Sequence, residues 1–243
     1  MIDGYDCIEK KVGLRRQNGK MLNVSILEAT ATTQEELVNV AIEASTDETA
    51  KDDPYGCVLW PAAATVSARL LELDLSNSTV LELGCGTGLV SLVAAIHGAK
   101  RVICTDYNPF SLALVEKAKY LQKYTFEMEN LTTQVFDVKD NSMQLPSADI
   151  VVIADLLYDE SLGLAVAQRI YECVQRKSKV IIADSPGRPG RPYMLRKLST
   201  LLQSPSIDFK EVQGNTVTGF RHSLISNSAT IQPESMPMGL LEL

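Results

Sequence analysis

Glu82-Leu83-Gly84-Cys85-Gly86-Thr87-Gly88 is the segment of this 243-residue chain whose residue types and spacing point most clearly to chemistry. It follows a short apolar run and precedes another that begins at Leu89, the order strand, turn, helix. Glycines let the chain turn tightly and let a ligand approach the backbone. The spacing is G-x-G-x-G. A dinucleotide fingerprint requires a glycine at position 89, where Leu89 stands, and a phosphate-binding P-loop requires a lysine followed by Ser or Thr. Glu82 sets a carboxylate beside the turn. That charge repels a pyrophosphate and suits a cationic ligand, and S-adenosylmethionine carries both an ammonium and a sulfonium.

Four further residues are candidates by position. Asp106 ends the next apolar run, where an acid can accept both hydroxyls of a ribose. Asp137 follows the run after that and can reach an adenine amino group. Asp155-Leu156-Leu157-Tyr158 follows a run of Val and Ile. Ligands of open α/β sheets bind beyond the carboxyl ends of the strands, so Asp155 and Tyr158 are expected beside the reacting group. A carboxylate there can orient an amine and stabilise its developing charge. Asp159 is free to cap the helix that follows. Trp60, the one tryptophan, is expected either in the core or against the ligand.

The elements that must position these residues alternate. A helix is expected from Pro61, which suits a first helical turn. Strands are expected at 79–83, 101–105, 133–136, 149–154 and 179–183, with helices at 89–97, 110–123, 162–174 and 193–202. Two strands without an intervening helix, 207–213 and 216–226, are expected to form a hairpin through Gly214-Asn215. Alternation of strand and helix predicts a parallel sheet with helices on both faces, and the hairpin adds an antiparallel strand. The fold class is therefore α/β, a Rossmann-like seven-strand sheet, mostly parallel. Residues 1–53 read as an N-terminal extension of strands or a hairpin. In it Thr33-Gln34-Glu35-Glu36 has capping-box spacing, while Val38, Val40 and Ile42 alternate as in a strand. Residues 54–226 form the main domain. Residues 227–243 read as a flexible tail whose last residues are apolar enough to dock.

Composition bounds the rest. Apolar residues make up 45% and charged residues 22%, as in an ordinary globular protein. The net charge of −7 would repel a phosphate backbone, so no nucleic-acid partner is expected. Five cysteines without a CxxC pair fit a reducing compartment. His97 and His222 are the only histidines, which makes a His-rich metal site unexpected. No run approaches the ~18 apolar residues of a membrane span, nor do residues 1–16 look like a leader. A cytoplasmic or nuclear address follows by elimination. The Arg188, Arg191, Arg196 and Lys197 cluster can meet an acidic substrate surface near the pocket mouth, but reads first as a solvated face.

The glycine turn with Glu82, Asp106 and Asp155 resembles the class I, or seven-strand, S-adenosylmethionine-dependent methyltransferases. Leu59-Trp60-Pro61 and Asp155-x-x-Tyr158 resemble methyltransferase family 16, mostly protein-lysine methyltransferases. Ala183-Asp184-Ser185-Pro186-Gly187-Arg188-Pro189 is similar to a segment in the branch acting on the electron-transfer flavoprotein β subunit. The resemblance covers about residues 54–226. It implies S-adenosylmethionine as cofactor, contacted at Trp60, Gly84, Gly86, Asp106 and Ala154, and a lysine of a protein as acceptor beside Asp155 and Tyr158; Glu82, Cys85, Gly88, Asp137 and Val138 are further candidate cofactor contacts. Two positions depart from the pattern: Val138 stands where many members carry Trp, and Ser185 is an insertion in the branch motif. A small-molecule N-methyltransferase and a non-catalytic S-adenosylmethionine-binding module share the cofactor residues and stand as alternatives. A nucleobase methyltransferase fits less well, because Asp155-Leu156-Leu157-Tyr158 lacks the Pro-Pro-aromatic pattern.

Overall fold

A computed structural model describes residues 1–44, 55–122, 126–213 and 236–243. The chain opens with an antiparallel pair, β1 (Cys7–Arg15) and β2 (Met21–Ala29), followed by α1 (Ala31–Ala44). There follow α2 (Pro61–Leu70), β3 (Thr79–Leu83), α3 (Leu89–Ile96), β4 (Arg101–Asp106), α4 (Pro109–Gln122), β5 (Leu131–Val135) and β6 (Ile150–Ala154). The chain continues through α5 (Glu160–Gln175), β7 (Lys179–Asp184), α6 (Arg191–Leu202), β8 (Lys210–Gln213) and β9 (Pro237–Glu242). Strands β3 to β9 make one seven-stranded sheet in the order β5-β4-β3-β6-β7-β9-β8. Neighbours from β5 to β7 pair in parallel, and β9 runs antiparallel to both β7 and β8. This is the expected Rossmann-like seven-strand architecture.

Period-two alternation sorts the strand side chains into two layers. Val80, Val152, Ile181 and Ala183 join the apolar cluster under α2 and α3, whereas Leu81, Leu83, Val151, Ile153, Val180 and Ile182 join the cluster under α5 and α6. Strands buried on both faces must be apolar throughout, which is why β6 reads Ile-Val-Val-Ile-Ala. The chain leaves β3 toward β4 and β5 on one side, then returns to lay β6 and β7 on the other. The reversal opens a crevice at the carboxyl ends of β3 and β6, the usual ligand position in such sheets.

In the first segment β1 and β2 pair, and Val12, Leu14, Leu22, Val24 and Ile26 lie in the same cluster as Val80 and Val102. Gln122 of α4 ties to the backbone of Ser25, donating to its carbonyl at 2.6 Å. The ambiguous stretch after β2 is helix α1, and it begins before the capping-box spacing suggests. Thr30 is the cap: its Oγ1 accepts from Thr33 N at 3.3 Å, while Thr33 Oγ1 donates to Asp6 O at 3.0 Å. Residues 216–226 lie outside the described residues, and β8 pairs with β9, from a segment expected to be a flexible tail. The burial of Met238 and Leu241 explains the docking: both are in the core clusters.

Helix starts follow local chemistry. Asp159 Oδ1 accepts from Leu162 N at 2.7 Å and caps α5, as expected. Trp60 is extended at φ −102 and ψ 147, as a residue before proline should be, and Pro61 opens α2. Gly190, the N-cap of α6, passes so close to α5 that a Cβ there would meet Asp159 O and, at 2.9 Å, Leu157 O. Its φ of −73 is open to any residue, so the glycine is required by packing alone. Gly190→Ala should therefore cost roughly 2–3 kcal/mol, since backbone oxygens cannot rotate away. Urea unfolding checks this, and an unchanged midpoint would refute the close approach.

Candidate active site

The turn after β3 is built on left-handed glycines. Gly84 and Gly86 have φ of 70 and 51, and a Cβ at Gly84 would meet the Leu156 side chain at 2.6 Å. Bare backbone thus faces the crevice. Asp106, at the end of β4, closes the turn: Oδ2 accepts from Gly86 N at 2.9 Å and Oδ1 from Asn108 N at 2.9 Å. A carboxylate here, beside the glycine turn, is an acceptor group facing the cavity, as a ribose site requires.

Above this turn lies a cavity of about 340 Å³, within the range of small-molecule sites. Of the residues expected at the site, Trp60, Gly84, Gly86, Asp106, Ala154, Asp155 and Tyr158 line it. Glu82, Cys85, Gly88, Asp137 and Val138 do not stand on the described lining. Cys85 and Val138 are buried, Gly88 caps α3, and the Asp137 carboxylate accepts from Lys139 N at 2.8 Å. Sequence reasoning missed Tyr55, Gly56, Tyr107, Leu156 and Arg188, which complete the wall. Tyr107 was within reach of the reading, being adjacent to Asp106 at a strand end. Arg188 had been assigned to a solvated face.

Asp155 is the most heavily engaged of these residues. Its Oδ2 accepts from Ala62 N at 2.9 Å, in the first turn of α2. Its Oδ1 accepts from Ser185 N at 2.9 Å and from Arg188 Nη2 and Nε at 3.2 and 3.4 Å. The same guanidinium lies 4.8 Å from the centroid of the Trp60 ring, a cation–π stack. Trp60 Nε1 donates to Tyr55 O at 2.9 Å, which sets the ring plane. Behind this group a second acid, Asp184, pairs with Arg191 at 3.3 Å, and Arg191 stacks on Phe209 at 4.4 Å. Burial first, and the charge of Asp155 second, lift the Asp184 carboxyl to about 7. The N-terminal hairpin anchors the opposite wall: Glu28, paired with Lys10, accepts from Leu59 N at 2.7 Å, and Ala29 N donates to Cys57 O at 3.0 Å.

Glu82 turns away from the cavity. It shares the face of β3 that carries Val80, and its carboxyl accepts from Ser91 N at 2.9 Å and from Ser91 Oγ at 2.5 Å. Complete burial raises it to about 8, against an ordinary 4.5. The folded chain thus holds a proton there that the unfolded chain releases near 4.5. The stability this confers is full at acid pH and falls as pH rises from about 4.5 to about 8. Glu82→Gln, uncharged throughout, should flatten the decline by on the order of 4 kcal/mol, leaving the smaller slope of Asp184 below about 7. Urea midpoints from about pH 5 to about pH 9 would show it; equal slopes in the two proteins would contradict it.

Comparison with known proteins accords with this geometry. A family model described as lysine methyltransferase matches residues 39–189. The electron transfer flavoprotein beta subunit lysine methyltransferase of Homo sapiens is 27% identical over 182 residues, covering 70% of this chain and 66% of that protein. The chain spans between half and two thirds of the length of such curated relatives. Among solved structures, PH1948 of Pyrococcus horikoshii, described as a candidate RNA methyltransferase, gives a TM-score of 0.50 at 16% identity over 87% of this chain and 97% of that one. The methyltransferase SMU.776, solved with SAH, gives 0.50 at 15% identity over 76% of this chain and 49% of that one. Both likenesses speak to the fold. No helix among the described residues is long and apolar enough to cross a membrane. By the family match over more than half its length, the chain belongs to the lysine methyltransferase family.

Proposed function

We propose that this chain transfers a methyl group from S-adenosylmethionine to a lysine side-chain amine of a protein. The observation that carries the proposal is the meeting, in one cavity, of the Gly84–Gly86 backbone and Asp106 with Asp155, Tyr158 and Trp60. The residues present fit the cofactor. The left-handed turn at Gly84 and Gly86, where a Cβ would meet Leu156 and Gly56 O, sets backbone on the cavity wall, and Asp106 sets a carboxylate there. Trp60, Gly84, Gly86, Asp106 and Ala154 would hold it; it supplies an electrophilic methyl on a sulfonium.

The chain's own residues would have to hold a lysine nitrogen neutral and in line with that methyl. The amine must first be neutral, which from a reference pKa of about 10.4 costs roughly 4.6 kcal/mol at pH 7. The desolvating cavity lowers that cost. Asp155 orients the amine through the lone pair left on Oδ2, while Tyr158, partly exposed at the rim, walls the channel. Holding the two reactants in line supplies much of the acceleration. A protein acceptor is favoured over nucleic acid by the net charge of −7. Five cysteines without a CxxC pair favour a reducing compartment such as the cytoplasm. The named relatives make the electron-transfer flavoprotein β subunit the first acceptor to try.

Calorimetric titration with S-adenosylhomocysteine, with NAD as control, should show binding of the first alone. Labelled methyl should then appear on lysine in that flavoprotein subunit or in lysate proteins. Binding without transfer to any protein would favour a small-molecule acceptor or a binding module. Asp155→Asn should lower the transfer rate by about a hundredfold or more while S-adenosylhomocysteine affinity changes by less than about threefold. Equal loss of both would sink this division of roles.

A further inference from the structure

Asp155 and Trp60 together make a seat for a cation, a carboxylate beside an aromatic face, and Arg188 of the same chain sits in it. Its guanidinium forks onto Asp155 Oδ1 and stacks on the Trp60 ring. The Asp155 side chain is 1% exposed and the Arg188 side chain 19%, so the charges meet with little water between them. Arg188 also lines the cavity, so the balance it sets is felt where the amine must lose its proton. A lone Asp155 carboxylate would work against transfer, because a negative charge within a few ångströms holds an amine as its ammonium.

Resting on the reading of the chain as a lysine methyltransferase, we propose that Arg188 is a positioning residue for transfer. It neutralises and fixes Asp155, so that the acceptor enters beside a balanced ion pair and gives up its proton. Other charged groups facing this point are few. Asp184 and Arg191 form the pair behind it on the β7 side, Asp106 faces the cavity from β4, and the tyrosines at 55, 107 and 158 line the same cavity. None of these cations stands against Asp155 at hydrogen-bond distance except Arg188.

The test is a single-turnover rate profile from about pH 6.5 to about pH 10, with the chain in excess over acceptor lysines of a dialysed lysate, so that the profile reports the bound amine. Labelled methyl-lysine is read after hydrolysis. In Arg188→Gln the rising limb should move alkaline by about one unit, a tenfold loss near neutrality that vanishes at the alkaline end. Arg188→Lys keeps the charge and should keep the limb in place while lowering the rate at every pH. The comparison is repeated in the Asp184→Asn background, which removes that acid's own inflection. S-adenosylhomocysteine titration should give near wild-type affinity in each variant. A limb that stays put in Arg188→Gln, with the same loss at every pH, would assign Arg188 a purely structural role and overturn the proposal. So would a one-unit displacement in Arg188→Lys, which decides the matter alone if the Gln variant no longer binds. A wild-type chain that binds S-adenosylhomocysteine yet methylates no lysine would refute the parent reading, and this one with it.

Discussion

The Asp155 carboxylate gathers donors from three places in the chain, Ala62 N in α2, Ser185 N after β7 and the Arg188 guanidinium, while its own backbone sits at φ +52. A residue with a Cβ enters that left-handed region at a cost on the order of 1 kcal/mol or more. The hydrogen bonds offset it, and the strained turn is what aims the side chain back across the crevice. The rest of the cavity is placed relative to this one group. Trp60 is fixed because α2 is tied at Ala62, and Arg188 is fixed because it must satisfy Asp155. The loop from Ser185 to Gly190 is held at both ends, by Asp155 at one and by the close passage of α5 at the other.

The charges at the ends of β6 and β7 form two pairs that differ in character. Asp155 accepts from backbone as well as from Arg188, whereas Asp184, fully buried, has one oxygen without a hydrogen-bond partner. A carboxyl in that position resists ionising, and its rise to about 7 follows. Glu82 belongs to the same class by a different route, bonded to α3 rather than to a cation. Of the two acids at these strand ends only Asp155 lines the cavity, and there Arg188 balances its charge.

Much of this was legible in the sequence because strand ends are fixed points. Asp106, Ala154 and Asp155 fall at the carboxyl ends of β4 and β6 whatever the loops do, and the glycine turn is tied to β3. Glu82 was misread as facing the ligand, although period two places it with Val80 on the side of α3. Arg188 was misread because a basic residue in a Pro-Gly loop has no periodicity to say which way it points; only the demand of a buried acid determines that. The hairpin at residues 7–29 was seen as an appendage. The apolar alternation of Leu22, Val24 and Ile26 marks a buried face, but not what it is buried against. The same limit hid β9, a short apolar run far from the strands it joins.

That remote strand has a kinetic consequence. β7 finds its second neighbour only when Pro237–Glu242 returns from far along the chain, and among the described residues β8 joins the sheet through β9. Closing so long a loop is entropically slow. During folding, the edge of β7, with Val180, Ile181 and Ile182, stands open with its backbone groups unmatched, a template for another chain. The parallel half of the sheet can assemble early around β3 and β6. Protection against aggregation arrives last, so the refolding yield should depend on concentration even where the finished fold is stable.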